Sequence, residues 1–161
     1  MIPRELVELK LKPALQECER HLARLHYAAS KGKTLFPMTG ARYSDLSDAD
    51  IATLDQLLFR FGKLQDAFGQ RLLPAILIAG QEWQVTETFL DKLNRLEELG
   101  VIPSAIAWVA LRDLRNNAMH EYPDEPEINA ANLNKIFSSI SELEKNLIQA
   151  RDYAIEHFAI A

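Results

Sequence analysis

The segment Arg115–Tyr122 concentrates more possible chemistry than any other part of the chain. It reads Arg-Asn-Asn-Ala-Met-His-Glu-Tyr and is followed by Pro123. An arginine guanidinium is a permanent cation with a fork of donors for phosphate oxygens, and an imidazole can take up or release a proton near neutral pH. Because RNA carries its own nucleophile, the 2′-hydroxyl, these two groups could cleave a phosphodiester without a metal.

A helix is needed to position these side chains. The apolar spacing predicts one that begins after Pro103 and ends before Pro123, with a core stripe of Ala107, Ala110, Leu111, Leu114 and Ala118. At about 100° per residue, the face turned away from that stripe carries Arg112, Arg115, Asn116, Met119 and His120. We expect Tyr122 to leave the helix and swing free, because a following proline disfavours helical backbone angles.

Arg115 and His120 cannot easily reach one atom from a single helix, because their spacing turns about 140° around an ideal helix. They could line one groove if the last turn unwinds. A two-fold homodimer offers another route, since two such helices facing each other would place two arginines and two histidines around a shared cleft.

The rest of the chain is also predicted to be helical. Further helices are expected over about 3–30, from Ser47 or Asp48 to Pro74, over about 86–99 and over about 129–158. Pro13 either kinks the first of these or marks its first turn. Residues 1–161 are therefore predicted to form a single all-α domain, an antiparallel bundle of four to five helices. The connection over about 31–46 is long for a bundle, which allows it to be mobile.

Composition limits the possible functions. The chain has 161 residues, 48% of them apolar and 25% charged, and a net charge of −5. This acidity argues against a protein that coats duplex nucleic acid, although it leaves room for a local basic cleft. The single Cys18 cannot form an internal disulfide, and we expect it to be a core residue of a cytoplasmic protein. The longest apolar run, Leu72–Ala79, is too short to span a membrane.

One polar residue interrupts the second helix. Gln65 falls on the apolar stripe between Phe61 and Phe68. A buried amide needs hydrogen-bond partners, so Gln65 is either a satisfied core residue or part of a polar cleft with Lys63 and Asp66. Both interpretations stay open at this point.

The sequence predicts neither a metal site nor a cofactor. The four histidines stand at positions 21, 26, 120 and 157, without the spacing of zinc ligands. The acidic residues after His120 are interleaved with prolines, a pattern that favours a solvated turn. We therefore expect Arg115 and His120 to act without an ion.

With its additional residues the motif resembles the HEPN superfamily, whose signature is Arg-x4–6-His with a polar residue after the Arg. The extension Arg115-Asn116-x-x-x-His120-x-Tyr122 is similar to the HepT branch, and so are Phe59–Asp66 and Phe89–Glu97. The resemblance covers about Ile51–Asp124.

This resemblance carries a set of expectations. It implies an all-helical homodimer with the motif at a shared cleft, and a toxin ribonuclease encoded beside a minimal nucleotidyltransferase antitoxin. By position, Arg115 and His120 would be catalytic, Asn116 would support them, and the partner would modify Tyr122 with AMP. Possible RNA-binding residues are Arg112, Met119, Lys63, Gln65 and Asp66. The chain departs from a minimal HepT in an extra segment, Thr34–Asp48.

Two other interpretations remain. The chain could be a non-catalytic HEPN module that docks a nucleotidyltransferase or holds its substrate, with Arg115 and His120 serving structure or recognition. It could also be a bundle whose polar face is simply solvated. The net charge favours the docking module, whereas the complete set of Arg, Asn, His and Tyr favours the enzyme.

Overall fold

The structure, a computed structural model, describes residues 4–160, and within this range it consists of helices and loops without strands. Seven helices are labelled here: α1 (Lys12–Gly32), α2 (Gly40–Ser44), α3 (Asp48–Ala67), α4 (Leu73–Ala79), α5 (Phe89–Leu99), α6 (Ala105–Ala118) and α7 (Pro126–Phe158). The predicted all-α helical bundle is confirmed. None of the helices described is long and apolar enough to cross a membrane.

Pro13 and Pro74 each follow a wider, π-helical turn within a continuous run of helix. A π-helical turn, Val7–Leu11, joins Arg4–Leu6 to α1, and Pro13 follows it. A second π-helical turn, Phe68–Leu72, joins α3 to α4, and Pro74 follows that one. Proline lacks an N–H and crowds the preceding turn, and the wider turn accommodates both defects. Neither proline ends its helix.

Side-chain caps explain several helix boundaries. Ser47 accepts a hydrogen bond from the backbone of Asp50 at the start of α3, as one of the two predicted caps. Thr88 and Asp91 form a capping box at α5, which therefore begins later than predicted. Gly100 ends α5 with a φ of 83°, a left-handed angle that glycine adopts without steric cost.

The long connection between α1 and α3 is folded rather than extended. It contains a 3₁₀ turn, Lys33–Leu35, and helix α2. Asn134 of α7 holds Met38 by both backbone groups, accepting from its N–H at 2.7 Å and donating to its carbonyl at 2.8 Å. A small second core lies beneath this connection and comprises Met38, Leu54, Ala130 and Leu133. The connection thus forms a wall of the molecule.

Helix α6 is buried on a wider face than predicted. Trp108 and Leu111 are buried, whereas Ala110, assigned to the core stripe, is exposed. Trp108 is 1% exposed and packs edge-on against Phe68, with ring centroids 4.6 Å apart. On a helical wheel Trp108 lies close to Arg115, because seven residues make about two turns. The prediction that Arg115 faces away from the core was therefore wrong: this face packs towards α3.

Candidate functional site

Arg115 lies in the last turn of α6 and is held from two sides. Its Nη2 donates to the carboxylate of Asp66 on α3 at 3.0 Å, and its Nη1 donates to the amide oxygen of Asn116 at 3.1 Å. The side chain crosses α3 at Gly62, where an added Cβ would lie 3.2 Å from Nε. It remains 29% exposed, so the guanidinium is fixed in place and still accessible.

A hollow of about 370 Å³ opens beside Arg115. It is lined by Gln65, Asp66, Gly69, Gln70, Phe89, Trp108, Arg112, Arg115 and Asn116. Arg112 stacks over the ring of Phe89, with its guanidinium carbon 5.1 Å from the ring centroid. Gln65 is 5% exposed, and neither atom of its amide has a hydrogen-bond partner among residues 4–160. Gln65 is therefore buried in the core, but its amide lacks the hydrogen bonds that were expected of a core position.

His120 lies beyond the end of α6 and faces a different depression. Helix α6 ends at Ala118 and not at Tyr122, because the backbone turns at Met119 and His120. The His120 ring is exposed and makes no hydrogen bond within the described part of the chain. It borders a groove of about 540 Å³, which we call the His120 groove. Besides the segment around His120, helices α2, α3 and α7 line this groove. The lining residues include Tyr43, Asp55, Phe59, Met119, Glu121 and Asn132.

A backbone clamp fixes the segment after His120. The Tyr122 N–H donates to Oδ1 of Asn129 at 3.0 Å, and the Tyr122 carbonyl accepts from Nδ2 of the same residue at 2.9 Å. Asn129 is buried at the start of α7. Tyr122 is half-buried, and its ring centroid is 6.5 Å from that of His120. It leaves the helix as predicted, but the prediction that it swings free was wrong.

Helix α2 provides the outer wall of the His120 groove. The hydroxyl of Tyr43 donates to the carboxylate of Glu121 at 3.0 Å. Burial raises the pKa of Tyr43, and the hydrogen bond and negative charge of Glu121 raise it further. Tyr43 could not be found from the sequence, because it is distant in sequence from Glu121 and no local pattern marks it. Phe59 was detectable in principle, since it is a large apolar residue outside the core stripe of α3.

Within one chain the predicted site residues fall into two groups. Arg112, Arg115, Asn116, Gln65 and Asp66 surround the hollow, whereas His120 borders the groove. Met119 lies between the two groups: it lines the groove, and its Cε would be 2.9 Å from a Cβ at Gly62. Lys63 is exposed on α3, with its Nζ 5.5 Å from the centroid of the Phe59 ring. One chain alone does not bring the Arg and the His into one cavity.

Among residues 4–160 no three His, Cys, Asp or Glu side chains are grouped closely enough to hold a metal ion. Comparison with known protein families, with curated proteins and with solved structures yields no significant match to this chain.

Proposed function

We propose that this chain is a metal-independent RNA endonuclease of the HEPN type, similar to the HepT toxins. The observation that supports this best is the contrast between two neighbouring groups. Asp66 and Asn116 hold Arg115 in place, and its side chain is still partly exposed. The ring of His120 is exposed and makes no hydrogen bond in the described range. Cleavage by the RNA's own 2′-hydroxyl requires a fixed cation and an available proton acceptor, and here the two line separate cavities of one chain.

In the proposed reaction His120 accepts the proton of the 2′-hydroxyl, and the 2′-oxygen attacks the adjacent phosphorus. The bond from phosphorus to the 5′-oxygen breaks, and the leaving oxygen takes a proton from His120 in its protonated form. Arg115 stabilises the negative charge that builds up on the phosphoryl oxygens. The products are a 2′,3′-cyclic phosphate and a 5′-hydroxyl. Asn116 acts by holding the guanidinium of Arg115.

The separation of the hollow and the groove favours an active site shared by two copies. A two-fold axis near the end of α6 would let His120 of one copy serve Arg115 of the other. Met119, which is 46% exposed between the two groups, would then be covered. The test is the oligomeric state in solution, with Met119→Asp as the variant expected to disrupt the dimer and the activity together.

Control by a minimal nucleotidyltransferase in the cytoplasm belongs to the same proposal. The backbone clamp keeps the Tyr122 ring near His120. An adenylyl group on the Tyr122 hydroxyl would add bulk and negative charge there and repel RNA phosphates. Incubation with the partner enzyme, ATP and magnesium should add AMP units to the native chain and none to Tyr122→Phe.

Cleavage of single-stranded RNA by the purified chain, with and without EDTA, tests the central claim. Activity should survive the chelator and leave cyclic phosphate ends. His120→Ala should abolish cleavage, and so should Arg115→Ala. Arg115→Lys should keep little of the native activity, because lysine lacks the bidentate fork of arginine. His26→Ala is the matched control, since His26 is exposed and pairs with Glu144 elsewhere. Full activity in His120→Ala, or a strict need for magnesium, would contradict the mechanism.

One observation favours the alternative, a non-catalytic module that docks a nucleotidyltransferase. Asp66 already neutralises Arg115, as in many structural ion pairs. If this interpretation is correct, no RNA is cleaved under any condition, whereas complex formation and modification of Tyr122 proceed normally. Arg115→Ala would then weaken the complex.

A further inference from the structure

We propose that the His120 groove binds an unpaired guanine of the RNA, with Asp55 accepting hydrogen bonds from the guanine N1–H and N2–H. The nature of the ligand as RNA rests on the proposed function. The choice of base rests on the groove itself, because its polar groups and its aromatic surface match one base better than the other three.

Helix α3 presents a regular series of side chains, of which the first three line the groove. Ile51, Asp55, Phe59 and Lys63 follow at steps of one helical turn, so they share one face. Ile51 and Phe59 are 43% and 51% exposed, which leaves their apolar surfaces open to a ligand. A carboxylate, an aromatic ring and an ammonium group are thus aligned over about 12 Å.

The negatively charged acceptors of the groove are Asp55 and Glu121, and Asn132 and His120 line it as groups that can donate as well as accept. Asp55 has no hydrogen bond or ion pair among the residues described, so both of its oxygens are available. Glu121 already accepts from Tyr43, which occupies the opposite wall. Single-stranded RNA is read by stacking of its bases on aromatic rings and by hydrogen bonds to their Watson–Crick edges. Phe59 offers the stacking surface, and Asp55 offers the two acceptors.

Guanine is the base that fits two adjacent acceptors. Its Watson–Crick edge carries two neighbouring donors, N1–H and the N2 amino group, which a carboxylate can accept in parallel. Adenine and cytosine present one amino group beside a ring acceptor, and uracil presents one N–H between two carbonyls. A carboxylate would be repelled by these acceptors. Asp55 therefore discriminates by charge as well as by hydrogen bonding.

Cations at the rim suit the phosphates on either side of the bound base. The Nζ of Lys63 and the guanidinium carbon of Arg60 lie over the Phe59 ring, 5.5 Å and 5.3 Å from its centroid, so a base that stacks on Phe59 must share the ring with them or displace them. Arg60 is partly engaged by His21, whereas Lys63 is exposed. With the base on Phe59 and its edge on Asp55, a phosphate can reach Lys63, and the backbone runs past His120.

The test is binding to oligonucleotides that cannot be cleaved. Fluorescence anisotropy would compare oligo(dT) carrying one central guanine with the same oligomer carrying hypoxanthine, which lacks the N2 amino group. The native chain should bind the guanine oligomer at least tenfold more tightly. Asp55→Asn should reduce this ratio to about two, because an amide offers one acceptor and places a donor against the base. Asp113→Asn, the same charge change outside the groove, should preserve it.

Two further measurements separate the possible outcomes. Phe59→Leu should weaken binding of both oligomers by a similar factor of about ten, since stacking does not depend on base identity. Equal affinity of the native chain for the two oligomers, or a guanine preference that survives in Asp55→Asn, would overturn the guanine site. A guanine preference without cleavage of RNA would uphold the guanine site and refute the nuclease. Cleavage of RNA without preference for guanine would do the opposite.

Discussion

Arg115 and His120 stand five residues apart in sequence, but different contacts hold them. Arg115 lies on a helix, packs over Gly62 and is paired with Asp66 of another helix. His120 lies in a turn, and its position depends on the backbone clamp that Asn129 makes to Tyr122. The first residue is placed by packing between helices, and the second by hydrogen bonds to a neighbouring segment. Perturbations should therefore affect the two residues independently.

The hollow and the groove also differ in how their polar groups are satisfied. At the hollow, side chains pair with each other across α3 and α6, although Gln65 and the Nε of Arg115 remain without partners among residues 4–160. At the groove, the fixed hydrogen bonds go mainly to the backbone, which leaves the His120 ring and Asp55 available. Water can hydrate the exposed His120 ring and Asp55, whereas the buried amide of Gln65 is the kind of unpaired group that is rare in folded proteins.

The largest expected effect comes from Gly62→Ala, which moves Arg115 without weakening the helix. The new Cβ would lie 2.9 Å from Met119 Cε, which must move, and 3.2 Å from Arg115 Nε, which must give by a few tenths of an ångström. Because a displacement of about 1 Å can cost on the order of 100-fold in rate, this smaller shift should cost about tenfold or less. Alanine is also a better helix former than glycine, by about 1 kcal/mol. RNA cleavage should therefore fall by up to about tenfold while the urea midpoint is unchanged or higher.

Gly69→Ala is the matched control for that prediction. Its Cβ would lie 3.1 Å from Cζ2 of Trp108, so this buried ring, packed edge-on against Phe68, would have to give by a few tenths of an ångström. Stability should fall by roughly 1–3 kcal/mol through overpacking. If Gly62→Ala also lowered stability and left the rate unchanged, Arg115 would be a structural residue.

A medium effect is expected from removal of either asparagine clamp on α7. Asn129→Ala leaves the N–H and the carbonyl of Tyr122 without partners, and Asn134→Ala does the same for Met38. Each change should cost about 1–3 kcal/mol in the free energy of unfolding, measured with urea. At equal loss of stability, Asn129→Ala should reduce RNA cleavage more, because it releases the segment that carries His120. Equal loss of activity would show that the clamp on Tyr122 has no special role.

The sequence predicted elements that depend on local rules. Ser47 as a cap, Gly100 as a helix end and the helical segments themselves follow from periodicity and capping, and the structure confirms them. The face of α6 was predicted less well, because the burial of Trp108 depends on the space left by Gly69 in the π-helical turn after α3. A helical wheel sees only one helix and cannot register such a space. The same limit explains why Arg115 was assigned to an outward face.

The residues that form the walls of the His120 groove could not be predicted from the sequence for a similar reason. The partnerships of Tyr43 with Glu121 and of Met38 with Asn134 join segments far apart in sequence. Asparagine and tyrosine are common on surfaces, so their types carry no signal. The motif itself was recognisable because its residues are neighbours along the chain. The route by which Arg115 and His120 act together is a tertiary or quaternary property, and it stays a prediction.

The smallest expected effect separates two histidines by pH. His21 lies between α1 and α3, where its Nδ1 accepts from Arg60 at 3.1 Å, so the neutral ring is the form that fits. Burial lowers the pKa of His21, the positive charges of Arg60 and Lys63 lower it further, and Glu17 opposes the shift. The unfolded chain therefore binds the proton more readily than the folded chain, and stability present above about pH 6.5 is lost as the pH falls below it.

Urea midpoints between pH 5 and 7.5 should decline less in His21→Gln, which keeps an acceptor for Arg60 but cannot titrate. His120→Gln should abolish cleavage at every pH. An identical acid decline in His21→Gln and the native chain would show that some other group controls stability in this range.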